Sequence, residues 1–386
     1  MTLLRRVLRK AVRVGRRAFG RTTPVAPPVP LSAATVDFND PAIAVDPFPA
    51  YDLLRASAAV HFLKRHDAWI VVGYDDLRAA FTMPQLLSNQ PYEDVDAVLL
   101  AADPPAHTAI RRITSRYFSR EVIEDIRRAA AEAAPRLLEK RRLDVVADYA
   151  GPLSELAAAQ LIGLDEGALH DVRAAGAHFT DFGRYVGDLR ALADRASMYG
   201  RLRGDGLDEA QARSLVALFW VASTKTTERT IAAATFRLVG HDDVRRELLR
   251  DPSAVGMFID EVLRLHQPEP MLRRLATSPA ELGGVVIPAG AMVYLCLAAA
   301  NRDPARYADP HALRLDRGAG SHLSFGHGIH YCIGATLARV VIDAAVRELL
   351  AGGRAVRIGQ PEESVTWQAS MMVRYIDRLV IESEPV

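Results

Sequence analysis

The stretch Phe325–Arg339, "FGHGIHYCIGATLAR", decides how the rest of the chain is read. It places a cysteine, Cys332, in a loop broken by Gly326, Gly328 and Gly334 that runs straight into a helical pattern. Glycines in such a loop let backbone approach closely and take conformations closed to other residues. A thiol at the start of a helix is favoured as the thiolate, because the first turn's free N–H groups and nearby cations stabilise negative charge. The thiolate is also the form that binds a metal. A lone cysteine before a helix is commonly a packed filler. The spacing F-x-x-G-x-x-x-C-x-G, made by Phe325, Gly328, Cys332 and Gly334, sets this one apart. The second cysteine, Cys296 in "MVYLCLAAA", reads as a packed small residue.

Composition narrows the setting. With 386 residues, 49% hydrophobic and 25% charged, the chain can bury a large core and is not a disordered polymer. Two cysteines make no disulfide framework, which points to a reducing, cytoplasmic compartment. No run reaches the roughly 18 apolar residues of a membrane span. A net charge of +1 offers no global argument for nucleic-acid binding. Charge is lopsided, however: the first 21 residues carry eight basic side chains, and the first acid is Asp37. This arm reads as a basic surface helix making peripheral contact with anionic lipid, as a disordered tail, or as a start codon placed too early. "TTPVAPPVP", Thr22–Pro30, reads as a stiff linker. Residues 1–36 are therefore taken as an extension, and 37–386 as one large domain, mainly α with small β-sheets.

Helical spacing covers Arg120–Tyr149, Leu153–Gly163, Gly167–Arg203, Glu209–Val239 and Asp242–His266. "AWIVVGYDDLRAAF" reads as a strand, a turn at Gly73 and a helix capped by Asp75 or Asp76. "GGVVIPAG" reads as a hairpin turning at its Pro-Ala-Gly, and the tail from Val356 to Glu382 as short strands.

The cysteine segment resembles the haem-binding loop of the cytochrome P-450 superfamily, in which a cysteine thiolate is the proximal iron ligand. Two further motifs agree in order and distance. "EVLRL" sets Glu261 and Arg264 three apart about seventy residues before the cysteine, and "DPPAHTAIRR" resembles the lead into the family's third major helix. The resemblance spans about Phe38–Glu382. It implies the cytochrome P-450 fold, haem b (iron protoporphyrin IX) as cofactor, and Cys332 as the metal ligand. Phe325 and Gly334 shape the loop, while His107, Arg111, Arg274 and His330 match the positions that hold the haem propionates. Buried carboxylates need charge-assisted donors, and arginine supplies them in fork geometry.

The activity implied is monooxygenation: one oxygen atom of O2 enters an organic substrate, small or carrier-bound, and the other leaves as water. No flavin or iron–sulfur segment remains in this chain, so a ferredoxin and its reductase are expected to deliver electrons. Arg112, Arg116 and Arg339 are candidates for their docking face.

The chain departs from the family pattern on the distal helix, in "VASTKTTERT", Val221–Thr230. Ser223 stands where glycine is usual and Lys225 where an acid belongs, while Thr226 keeps the alcohol. Lys225 is thus a candidate proton donor, a partner for Glu228, a holder of an anionic substrate group, or a solvated surface lysine. The missing acid keeps open a non-hydroxylating reaction: oxidative coupling, cyclisation, peroxide use or dehydration. A third reading is a P-450-like auxiliary protein that binds a partner enzyme. Ala312 stands where the family often has the basic partner of Glu261 and Arg264. Short segments before "DPPAH" and before the distal helix suggest a compact, open pocket.

Overall fold

The helix Glu209–Gly240 packs against two other helices, Gly151–Ile162 and Ala335–Ala351. It opens on a capping box, in which the Asp208 carboxylate accepts from Gln211 N at 2.8 Å and the Gln211 side chain accepts from Asp208 N at 3.1 Å. Small residues are frequent where these helices pack: Ala232, Ala233 and Ala234 on one, Ala157–Ala159 and Ala344–Ala345 on the others, all buried in one core. With so little side chain between them, the backbones can approach closely.

In this computed structural model the described residues are 35–95, 98–174, 197–318, 322–351, 354–361 and 364–385. The basic arm, the proline-rich linker and much of the expected helix Gly167–Arg203 lie outside them. Val36 and Phe38 are buried in the core, beside Tyr51 and Leu54. Among the described residues no helix is long and apolar enough to cross a membrane.

Two expected helices are divided. The Arg120–Tyr149 run forms a helix only to Leu137, after which Arg142–Asp144 becomes a strand paired with Val380–Glu382. Local periodicity cannot reveal this pairing, because the partner comes from the far end of the chain. A π-helical turn, Val145–Ala150, then leads into Gly151–Ile162, which ends at left-handed Gly163 (φ 79°). The Asp242–His266 run breaks at Pro252 into Asp242–Arg250 and Val255–Leu265, since proline lacks the N–H a continuing helix needs.

The strands are β1 (Val60–Leu63), β2 (Ala68–Val71), β3 (Leu87–Ser88), β4 (Arg142–Asp144), β5 (Met271–Ala276), β6 (Ala280–Leu282), β7 (Val285–Ile287), β8 (Met292–Cys296), β9 (Arg354–Ile358), β10 (Trp367–Ala369), β11 (Arg374–Ile376) and β12 (Val380–Pro385). The largest sheet has the order β1-β2-β8-β5-β3, with β2 and β8 parallel. The "GGVVIPAG" hairpin does not form as expected. The hairpin is β6–β7, turned by Gly283 and Gly284 at φ 56° and 76°, and Pro288–Gly290 passes the chain to β8 in the main sheet. The helix Tyr74–Ala80 also differs: Asp75 and Asp76 lie inside its first turn, and the N–H of Tyr74 is instead accepted by Asp303 Oδ2 at 2.9 Å. A residue 229 positions away thus does the work of a local cap.

Candidate functional site

The cysteine loop is shaped by its glycines. Gly326 and Gly328 have φ of 71° and 70°, and a Cβ on Gly328 would stand 2.5 Å from the Phe81 carbonyl oxygen. No other residue fits there. Gly334 has no positive φ, and a Cβ would meet the Cys332 sulfur at an ordinary 3.9 Å. The Cys332 N–H donates to the Phe325 carbonyl at 2.9 Å, and the helix Ala335–Ala351 follows at once. The Phe325 ring lies beneath the Arg339 guanidinium at 4.6 Å, so it props the loop.

Cys332 has accessible surface, yet loss of solvation among surrounding protein atoms raises its thiol above the ordinary value. A group with both properties lines an internal crevice rather than the outer face. The Gly334 N–H and the charges of Arg111 and Arg339 act the other way, favouring thiolate.

The four donor positions converge on the same crevice. The His107 and His330 rings lie 4.1 Å apart between centroids, although the residues are 223 apart in sequence. Arg111 donates to the Tyr331 carbonyl at 2.8 Å, one residue before the cysteine. Arg274 is buried and donates to its neighbour's carbonyl, Arg273 O, at 2.7 Å. Burial, with His107, Arg274 and Arg111 nearby, pushes His330 down to about 3, and burial lowers Arg111 and Arg274 as well. Among the described residues neither arginine has a carboxylate within salt-bridge distance. Asp103, whose charge acts on His107 and Arg274, is engaged by the Ser88 hydroxyl and the Asn89 N–H. The Nε2 atoms of both histidines are buried without a partner. Buried polar atoms are seldom left so. Donors here exceed acceptors, and a buried dicarboxylate such as the two haem propionates fits the deficit.

On the long helix the departures fall on different faces. Thr226 is partly buried and donates to the Ala222 carbonyl at 2.6 Å, while Ala222 itself is exposed within an otherwise packed helix. Ser223 is half-buried. Lys225 Nζ lies 2.9 Å from Glu228 Oε2, with the lysine side chain 47% exposed and the glutamate 12%. The carboxylate reaches the start of the helix Gly151–Ile162, where a Cβ on Gly151 would be 3.3 Å from it. Of the four surroundings open to Lys225, the structure shows Glu228.

Glu261 and Arg264 form a fully buried bidentate pair at 2.6 and 2.9 Å. Arg264 also donates to the carbonyls of Asn301, Pro310 and Ala312. The basic partner missing at Ala312 comes from Arg317, whose Nε is 3.2 Å from Glu261 Oε2. Asn301 ties this brace to the cysteine loop, accepting from Leu323 N at 2.7 Å and donating to Ser324 Oγ at 2.9 Å.

Comparison with known proteins bears on what this crevice holds. A sequence model of the family Cytochrome P-450 matches residues 192–352. The cytochrome P-450 monooxygenase PikC of Streptomyces venezuelae is 30% identical over 411 aligned positions, covering 95% of this chain and 97% of that protein. This chain belongs to the cytochrome P-450 family. The 6-deoxyerythronolide B hydroxylase of Saccharopolyspora erythraea is 28% identical, covering 89% of this chain and 98% of its own. A solved P-450 BioI, in complex with an acyl carrier protein bearing hexadec-9Z-enoic acid, superposes with a TM-score of 0.78 at 25% identity, covering 88% of this chain and 99% of that one. The protein is a P-450 monooxygenase, an oxidoreductase whose cofactor is haem.

Sequence reasoning missed two contacts that support this P-450 site, Arg317 with Glu261 and Asp303 with Tyr74 N. Arg317 was hidden because its partner is set by the fold rather than by spacing. Asp303 carries no local signal of the bond it accepts from Tyr74 N, 229 residues away.

Proposed function

We propose that this P-450 inserts one oxygen atom from O2 into an organic substrate of bacterial specialised metabolism, using electrons from a ferredoxin and its reductase in the cytoplasm. The carrying observation is the accessible Cys332 sulfur beside two unpartnered histidine Nε2 atoms and two arginines that have no carboxylate among the described residues. In this reading Cys332 would hold the iron, and His107, Arg111, Arg274 and His330 would hold the propionates. Bound haem supplies activation of dioxygen and transfer of one oxygen atom to a C–H bond.

The chain's own residues supply the rest. Thr226 holds a hydroxyl proton against the Ala222 carbonyl, and rotation about χ1 would present it to the crevice. Lys225 donates to Glu228 one turn further along the same helix, with the lysine open to solvent. This arrangement supports a replenishing role in place of the usual acid. Arg112 is exposed, while Arg116 pairs with Asp205 at 3.3 Å and Arg339 with Asp260 at 3.0 Å. Arg112 is therefore the best candidate of the three to meet an acidic ferredoxin. The acyl-carrier complex of P-450 BioI makes a carrier-bound substrate the natural second candidate beside a free one.

The test is a reduced, carbon-monoxide-bound spectrum followed by turnover under labelled dioxygen. A Soret band at the thiolate position with labelled product supports the proposal. A thiolate band without label in the product favours coupling or dehydration, and no haem at all favours an auxiliary protein.

A further inference from the structure

His266 and Gln267, just past the helix Val255–Leu265, are buried and carry polar atoms that no described residue meets. Two arginines from distant segments bracket them. Arg302 Nη2 donates to the Leu265 carbonyl at 2.5 Å, and Arg374 N donates to the Pro268 carbonyl at 3.0 Å. Aromatic rings fix both guanidiniums. Arg302 lies 3.8 Å over the Phe48 ring, and Arg374 lies 5.1 Å from that same ring and 4.1 Å over Trp367. His266 stacks on Trp367 at 5.3 Å. These contacts gather Arg302, Arg374, His266 and Gln267 into one cluster.

Donors are in excess there. His266 Nε2 accepts from Arg237 Nε at 2.7 Å, and burial, with four arginines around it, keeps the ring neutral. Its proton therefore sits on Nδ1, a buried atom without a partner. Arg302 Nη1, Arg374 Nε and the Gln267 amide nitrogen are buried and unpartnered as well. Against these four donors the cluster sets one unpaired acceptor among the described residues, Gln267 Oε1. Charge is equally one-sided. Among the described residues no carboxylate lies within salt-bridge distance of Arg302 or Arg374, and Asp46, whose charge acts on Arg374, is exposed. Burial lowers Arg302 to about 9 and Arg374 to about 10.

Water completes such a place poorly, because each molecule brings two protons of its own to a site already short of acceptors. It also leaves the buried cations without a counter-charge, which is the costlier defect. We propose that this cluster is an anion site that holds one chloride ion among Arg302, Arg374, His266 and Gln267. The ion accepts from several donors at once, donates nothing and offsets the buried positive charge. The unpartnered donor atoms have no accessible surface, which favours a small ion over phosphate or an organic acid. Bound there, it ties the end of the Arg264 helix to the Arg302 turn and to strand β11. The site is independent of the oxygenase reading.

The test uses the haem-loaded, full-length protein. Crystals grown in sodium bromide should show an anomalous peak among these four side chains. A water there, no density, or a bromide peak only elsewhere overturns the proposal. In solution, replacing sodium gluconate by sodium chloride at constant ionic strength should raise the unfolding midpoint by about 2 °C, because a ligand of the folded state alone stabilises it. Arg302→Met should abolish that difference. Gln267→Met, which leaves every charge in place, should reduce it, and carries the comparison should Arg302→Met not fold. Equal midpoints of the wild type in the two salts, or a difference undiminished in the folded variants, overturns the proposal as well.

Discussion

Around Glu261 nearly every donor and acceptor of the ion pair is matched, whereas around His330 the donors outnumber what the protein offers them. Both clusters are buried and strongly charged, and Asn301 and the cysteine loop lie between them. Arg264 spends its guanidinium on a carboxylate and three carbonyls, and Arg314 N and Arg317 complete the acid. At the crevice, two histidine Nε2 atoms have no partner, and two arginines meet backbone carbonyls but no carboxylate among the described residues. A saturated cluster braces a fold; an unsaturated one is shaped for a ligand.

This contrast can be broken or sharpened by substitution. The largest effect is expected at the sulfur: Cys332→Ala should abolish the thiolate Soret band and all turnover, read from the reduced carbon-monoxide spectrum. Next comes the saturated side. Glu261→Gln strands a buried guanidinium and should cost about 3–5 kcal/mol in denaturant unfolding, with Arg317→Met costing about 1–2 kcal/mol.

Acid should expose a smaller member of the saturated class. Burial pushes the Asp260 carboxyl up, but hydrogen bonding from His322 and the charges of Arg339 and His322 outweigh it and hold it at about 2. Because the folded value is depressed, its stabilisation of about 2 kcal/mol is full above about pH 4 and is lost as pH falls toward 2. Asp260→Asn should flatten stability against pH across that window, as followed by circular dichroism.

On the unsaturated side the sign should reverse. Arg274→Met ought to stabilise the haem-free protein by about 1 kcal/mol, since it removes an unpaired buried cation, while accelerating haem loss to an acceptor globin. Parallel rather than opposite changes would erase the distinction between the clusters. The smallest effect is expected on the distal helix: Lys225→Met should lower product formed per electron consumed by a few fold, with haem content unchanged. Unchanged coupling would leave the Lys225–Glu228 pair a surface contact.

How much was legible follows the same division. The cysteine loop, the Glu261–Arg264 spacing and the long distal helix could be read directly, because each is a pattern within one short segment. The strand Arg142–Asp144 could not, since its pairing comes from residues near the chain's end. The cap on Tyr74 was misassigned to Asp75 or Asp76 for the same reason: local capping rules do not foresee a donation to Asp303.

By itself the sequence determined that this chain folds as a P-450 and that its distal helix lacks the usual glycine and acid while keeping Thr226. Those are matters of residue type and spacing along one helix or loop, where geometry repeats with the chain. Only the tertiary structure decided that Arg317 replaces the cation missing at Ala312 and that Arg339 pairs with Asp260. Each is a question of which charges meet across segments. In a low-dielectric interior that depends on packing at the scale of an ångström, which no spacing along the chain encodes.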